Sequence, residues 1–194
     1  MLTVTLIERN IMSMEVKQLR QTSGLTQKEF CTRYQIPLKT LQNWETVSDS
    51  PSARKCPPYV VLLLAKAIMT DFPVARNLLE ANIDERHLVS IEQAKNKIRK
   101  SPLSKHVKDV LLYGSTARGQ SKYSSDVDML MILDNRIKNY NRTSDWISYL
   151  KGNISSDDYS LPEVDLHVVF DEKWKDANDA YFSNVKKEGF SIWN

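Results

Sequence analysis

Residues 111–133, LLYGSTARGQSKYSSDVDMLMIL, limit what this chain can fold into more than any other stretch. Two apolar runs of strand length frame a glycine-serine pair, a short basic segment and a polar loop. That order predicts a strand, a turn at Gly114-Ser115, a short basic helix, a loop, and a second strand opening on Asp126-Val127-Asp128. Residues i and i+2 of a strand face the same way, about 7 Å apart along the chain, so the two carboxylates form a clamp for a metal ion. Magnesium suits such a clamp, because Mg²⁺ keeps several waters and is completed by substrate phosphates rather than by a protein cage. Gly114 allows the backbone to approach an anion, and Ser115 begins a helix whose free N–H groups favour phosphate. The two halves fit one nucleoside triphosphate and its metal.

A third acidic position comes from the apolar run EVDLHVVF. Alternation over Val164–Phe170 puts Val164, Leu166, Val168 and Phe170 on one face of a strand and Asp165, His167 and Val169 on the other. With two carboxylates already paired, Asp165 fits a site better than a solvated strand edge. His167 shares that face and stays open between contact with the site and a part-buried structural role. His87 and His106 carry no pattern.

The order Gly114-Ser115, ten residues, Asp126-x-Asp128 resembles the nucleotidyltransferase superfamily of DNA polymerase beta type. Within it, the chain resembles the minimal nucleotidyltransferases and their pattern G-S-x10-D-x-D. Thr116-Ala117-Arg118-Gly119 is similar to the family's S-x-A-R-G extension, and Asp165 stands where the family has a carboxylate on a later strand. The resemblance implies that Asp126, Asp128 and Asp165 bind the catalytic Mg²⁺. It also implies that Asp165 helps deprotonate the attacking hydroxyl, and that Gly114, Ser115 and Arg118 hold the triphosphate of ATP. Ser124 and Ser125 lead into the carboxylates as loop formers, with Ser125 a candidate phosphate contact.

The N-terminal third reads differently. Residues 1–70 hold nine Lys and Arg against five Asp and Glu, whereas the remainder is close to balanced, so a polyanion partner would meet the chain there. After a lead of residues 1–13, in which Met12 and Met14 are both candidate starts, three short helices are expected. Gly24 suits a C-cap, Thr26 an N-cap with Glu29 completing a capping box, and Pro37 a first helical turn. Val16, Leu19, Leu25, Phe30, Ile36 and Leu41 are spaced to share one core, with Cys31 on the inner face of the second helix. The pattern L-T-Q-x-x-F followed by I-P-x-x-T-L-x-x-W-E resembles the phage-repressor (XRE) type of helix-turn-helix over residues 14–69. That resemblance implies a DNA-binding role for Gln27, which opens the helix crossing the phosphate backbone, and for Lys39, Thr40, Gln42 and Asn43 on the recognition helix. Arg54 and Lys55, in a loop rich in serine and proline, are candidate phosphate contacts.

Residues 58–69 form a mostly apolar helix that closes the small core and offers a face for a homodimer, since operators are two-fold. A helical piece over 71–80 ends at a boundary between Ala81 and Asp84. Residues 84–100 read as an amphipathic helix with Leu88, Ile91, Ala94 or Lys95, and Ile98 at helical spacing, while Lys95, Lys97, Arg99 and Lys100 read as a solvated face rather than a binding patch. Strand Val107–Tyr113 follows, then the second strand, a polar loop over 135–142, a helix over 143–150, the third strand, a helix over 172–187 and a final strand over 189–193. The fold class is therefore α+β: an all-α helix-turn-helix domain over residues 14–80, then a nucleotidyltransferase domain with a short mixed sheet over 84–194.

No run reaches the roughly 18 apolar residues of a membrane span, no secretory signal is legible, and Cys31 and Cys56 lack disulfide or metal spacing. A cytoplasmic protein is expected. The 29 residues after Asp165 are too few for the helical acceptor domain of antibiotic nucleotidyltransferases. The resemblance therefore points to an antitoxin that transfers AMP from ATP to a cognate toxin of HEPN type and regulates its own operon by binding operator DNA. Two other classes stand beside it: a transcriptional repressor whose transferase-like domain senses nucleotide, and a small-molecule adenylyltransferase.

Overall fold

The computed structural model describes Ile11 and residues 14–46 and 55–193. Apart from Ile11, the expected lead segment, residues 1–13, lies outside the described residues, as does Arg54. The chain divides into two compact units, residues 1–82 and residues 83–194.

The first unit is all-helical. Helix α1 spans Val16–Ser23, α2 Gln27–Tyr34, α3 Leu38–Glu45, α4 Pro58–Asp71 and α5 Pro73–Glu80. Local chemistry sets the ends of the first three. Gly24 closes α1 at φ 72°, a left-handed conformation that glycine adopts without strain. Thr26 opens α2, its hydroxyl accepting from the Glu29 N–H while the Glu29 carboxylate accepts from the Thr26 N–H at 2.8 Å. Pro37 sits one residue before α3 rather than within its first turn. Leu19, Phe30, Leu41, Ala65 and Ile68 are fully buried in one core, and each large side chain so buried contributes about 1.5–3 kcal/mol. Leu25, Cys31 and Ile36 pack at its margin. Helix α4 buries Val61, Leu64, Ala65 and Ile68 and leaves Tyr59 and Leu63 exposed on its other side.

An ion pair fastens α1 to α3: Arg20 Nε donates to Glu45 Oε1 at 2.7 Å and its Nη2 to Oε2 at 3.0 Å. The fork geometry makes this stronger than a single-point pair. A second pair joins α2 to α4: Arg33 reaches Asp71 at 2.8 Å, and the Tyr34 hydroxyl is pushed up to about 12, first by burial and then by the Asp71 carboxylate beside it.

The second unit is a four-stranded mixed sheet. Helix α6, Glu85–Lys100, precedes β1, Val107–Tyr113, which runs into a four-residue helix α7, Gly114–Ala117. After a loop come β2, Val127–Leu133; α8, Thr143–Asn153; β3, Val164–Phe170; α9, Ala180–Glu188; and β4, Phe190–Ser191. The order is β3-β2-β1-β4, with β2 parallel to β3 and β1 antiparallel to both β2 and β4. Helices α6 and α8 pack on the sheet, where Met129, Met131, Leu112 and Leu166 are fully buried or nearly so. Alternation turns Tyr113, Leu130 and Ile132 to the opposite face, where Trp174 and Val185 cover them.

Three sequence expectations change in this unit. The helix expected over 172–187 is two pieces, a 3-10 segment Asp171–Asp176 and α9, because the Asp179 side chain accepts from the Phe182 N–H and starts a new helix there. The polar loop over 135–142 contains a 3-10 turn whose Ile137 is fully buried and whose carbonyl accepts from the Thr143 hydroxyl. The basic residues of α6 are not a plain solvated face. Lys95 is fully buried with its ammonium on Glu92 at 2.9 Å, Lys97 donates to the Ser155 carbonyl, and Arg99 lies over the Trp193 ring.

Candidate active site

The strand register builds the site. Tyr113 of β1 is the partner of Asp128 on β2, and Asp128 is the partner of Asp165 on β3. Directly opposed residues present their side chains to the same face, so Tyr113, Asp128 and Asp165 form a row across three strands. Asp126 lies one residue before β2, exposed at its mouth. The expectation that the second strand itself opens on Asp126 is therefore corrected by one residue. Its carbonyl accepts from the Thr116 hydroxyl at 3.2 Å, which ties the start of β2 to α7.

Gly114 explains why Asp128 fits. Its φ is +75°, and a Cβ built there would lie 2.0 Å from Asp128 Oδ2 and 2.9 Å from Cγ. The carboxylate occupies the space that any other residue's side chain would take. Asp128 is half-buried, and its carboxyl pKa is raised above the usual range, first by that burial and then by the negative charge of Asp165 and Asp126; Glu188 adds to the rise and His167 opposes it. Negative charge gathered against burial is the condition a cation relieves.

Among the described residues, no three His, Cys, Asp or Glu side chains stand close enough to enclose a metal ion by themselves. An oxygen-only donor set that leaves positions for water and phosphate nevertheless fits Mg²⁺, which is seldom caged by protein alone. His167 lies beside the row: its Nε2 is 3.4 Å from Asp165 Oδ2 and its ring packs 4.8 Å from that of Tyr181. The Tyr181 hydroxyl is 2.8 Å from the Tyr113 hydroxyl. Burial, then that hydrogen bond, holds the Tyr113 phenol far above its usual range.

The residues expected to take phosphate are brought to the same end of the sheet, with their donors partly engaged. The Gly114 N–H donates to Glu188 Oε1 at 3.0 Å, and Arg118 Nη1 donates to Glu188 Oε2 at 2.5 Å. Arg118 Nε reaches Gln120 at 3.2 Å. Ser115 is part-exposed in α7, whose segment carries Arg118 only at its C-terminal end, so the helix itself is GSTA and uncharged. Ser125 is a loop former: its hydroxyl accepts from the Lys122 N–H at 2.8 Å.

Two supports were not legible in the sequence. Glu188 is one. The other is the start of α6, where Asp84 caps the helix, lies 2.5 Å from His87 Nδ1 and accepts from the Ser121 hydroxyl at 3.2 Å. His87 is buried, and its Nε2 is 3.0 Å from the Ser125 carbonyl; Arg86 stacks on Tyr123 and donates to the Tyr123 and Ser160 carbonyls. The loop that delivers Asp126 is thus fixed from beneath. Its only sequence signal is Asp84 as a helix cap.

In the helical unit, Lys39 and Gln42 are exposed and Thr40 and Asn43 part-exposed along α3. Gln27 is separate from them in its bonding: its amide donates to Glu45 Oε2 at 2.8 Å.

The mixed sheet thus carries a carboxylate row beside a glycine turn. The family model described as nucleotidyltransferase domain matches residues 91–190, and the chain belongs to that family. Members typically use a nucleoside triphosphate and a divalent metal. A solved chain of a proposed nucleotidyltransferase from Sulfolobus solfataricus is similar at 20% identity and a TM-score of 0.38, covering 57% of this chain and 85% of that one. No curated protein matches. Among the described residues, no helix is long and apolar enough to cross a membrane.

Proposed function

We propose that the second unit transfers a nucleoside monophosphate from ATP to a hydroxyl of a cognate toxin protein, of HEPN type, and that the helical unit binds operator DNA. The observation that carries the enzymatic part is the row of Asp128 and Asp165 with Gly114 beneath it, in a chain of a nucleotidyl-transfer family.

Asp126, Asp128 and Asp165 would hold Mg²⁺, which when bound neutralises phosphate charge and lowers the pKa of an attacking hydroxyl. Asp165, with His167 beside it, accepts the proton as the acceptor oxygen bonds to the α-phosphorus and the bond to the pyrophosphate oxygen breaks. Ser115 and Arg118 orient the triphosphate, so catalysis is chiefly positioning and electrostatics. The test mixes the protein, Mg²⁺ and α-labelled ATP with the product of the adjacent reading frame. Label fixed on that partner, and absent with Asp126→Ala/Asp128→Ala, is the expected result; label on neither protein with any nucleotide removes the antitoxin reading.

Lys39, Thr40, Gln42 and Asn43 on the open side of α3 support DNA recognition, with Gln42 and Asn43 suited to adenine and Lys39 to guanine or phosphate. Gln27 joins them only by leaving Glu45. Pairing of two copies through the exposed Tyr59 and Leu63 of α4 would match a two-fold operator. Lys39→Ala is expected to reduce the slope of log affinity against log salt by about 1 on the chain's own promoter fragment, and Gln42→Ala to cost about 1–3 kcal/mol on the preferred sequence. Unchanged binding in both variants would remove α3 from the interface.

A further inference from the structure

Glu188 is the last residue of α9 and has no place in the site as read from the sequence. Its two carboxylate oxygens go to different parts of one turn: Oε1 accepts from the Gly114 N–H and Oε2 from Arg118. One side chain therefore spans α7 from its first N–H to the residue that follows its last. Both bonds involve a charged carboxylate, the one to Arg118 a charged donor as well, and the Glu188 side chain is 17% exposed.

Two roles are compatible with a carboxylate at a phosphate turn. It can imitate phosphate and exclude it, or it can hold the turn in shape. The backbone that carries Glu188 decides between them. Gly189 follows at once, its N–H bonded to the Val185 carbonyl at 2.8 Å, and a Cβ there would sit 2.5 Å from that same carbonyl oxygen. The next two residues are β4, paired with β1 at Leu112 and Leu111, and the Ile192 N–H donates to the Val110 carbonyl at 2.8 Å. Glu188 is thus anchored to the strand whose end leads into the turn. A group so fixed is suited to a tether and poorly suited to a plug that must withdraw.

We propose that Glu188 is a positioning residue for nucleotidyl transfer, setting the Gly114–Arg118 turn so that Ser115 and the remaining guanidinium face of Arg118 meet the triphosphate. The proposal rests on the transferase reading given above. Through Gly114 it also bears on Asp128, whose carboxylate lies in the space above that glycine.

The test uses the full chain with Glu188→Ala and the near-isosteric Glu188→Gln, and two readouts. The first is amide exchange of Gly114, whose N–H Glu188 accepts and which reads the tether without nucleotide. It should accelerate at least several-fold in Glu188→Ala, with other β1 amides unchanged. The second is binding of ATP with Mg²⁺, expected to weaken on the order of tenfold in Glu188→Ala and less in Glu188→Gln, which keeps one acceptor for the Gly114 N–H. Combining Glu188→Ala with Arg118→Ala should cost less than the two losses together, because both break one bridge. Tighter nucleotide binding in either Glu188 variant would make the carboxylate a competitor of phosphate and overturn the proposal, as would unchanged Gly114 exchange. Absence of nucleotide binding in the unaltered protein would instead sink the transferase reading, and Gly114 exchange would still decide the tether.

Discussion

Asp128→Asn is expected to lower nucleotidyl transfer by about 10³-fold or more while leaving the protein folded. The substitution keeps the size of the side chain and the space above Gly114 but removes the charge on which the row depends. Stability should move the other way. The Asp128 carboxyl pKa is raised in the folded protein, by burial and then by Asp165 and Asp126, so the folded state binds a proton more tightly than the unfolded chain. Between the ordinary carboxylate pKa and the raised one, stability falls as pH rises, because the unfolded chain releases that proton more readily. At neutral pH the unaltered protein carries this penalty and the Asn variant does not. Thermal unfolding at pH 7 should show Asp128→Asn at least as stable as the parent, with the difference vanishing below the ordinary carboxylate range. A clear loss of Tm at pH 7 would mean that Asp128 holds the fold together.

Gly114→Ala is expected to damage activity more than stability. The left-handed backbone, at φ +75°, costs an alanine about 1 kcal/mol or somewhat more. The added methyl would also stand 2.0 Å from Asp128 Oδ2, so the carboxylate must rotate away. A displacement of about 1 Å in a positioning group can cost about 10²-fold in rate, and here the displaced group is itself in the row. The expected outcome is a Tm drop of a few degrees with at least that loss of transfer. Full activity in Gly114→Ala would show that Asp128 works from another rotamer than the one tucked against the turn.

The elements that build the site were legible because they are local. Alternation over residues 164–170 fixes which face Asp165 shares, and Gly114 with the apolar runs on either side marks the turn and both strands. The caps at Gly24, Thr26 and Asp179 follow the same local chemistry, although the last was hidden inside an amphipathic pattern and divided a helix that periodicity alone makes continuous. What the sequence does not carry is long-range pairing. Glu188 reaches Gly114 across 74 positions and His87 reaches Ser125 across 38, and neither distance leaves a spacing rule. Lys95 misleads for another reason: periodicity admits either it or Ala94 on the apolar side, a lysine on an amphipathic helix is normally solvated, and here its burial comes with an ion pair to Glu92. Gln27 likewise reads as a free polar residue until Glu45 folds over from α3.

The Asp128–Asp165 row, with Asp126 at its mouth, is expected to bind a nucleoside triphosphate through a divalent cation. Calorimetric titration of ATP into the full chain, with Mg²⁺ or with a chelator, tests it without knowledge of the acceptor. Saturable binding that needs the cation, and that Asp126→Asn/Asp128→Asn abolishes while the protein stays folded, is the predicted result. Binding indifferent to both cation and carboxylates, or no binding of any of the four nucleoside triphosphates, would contradict it.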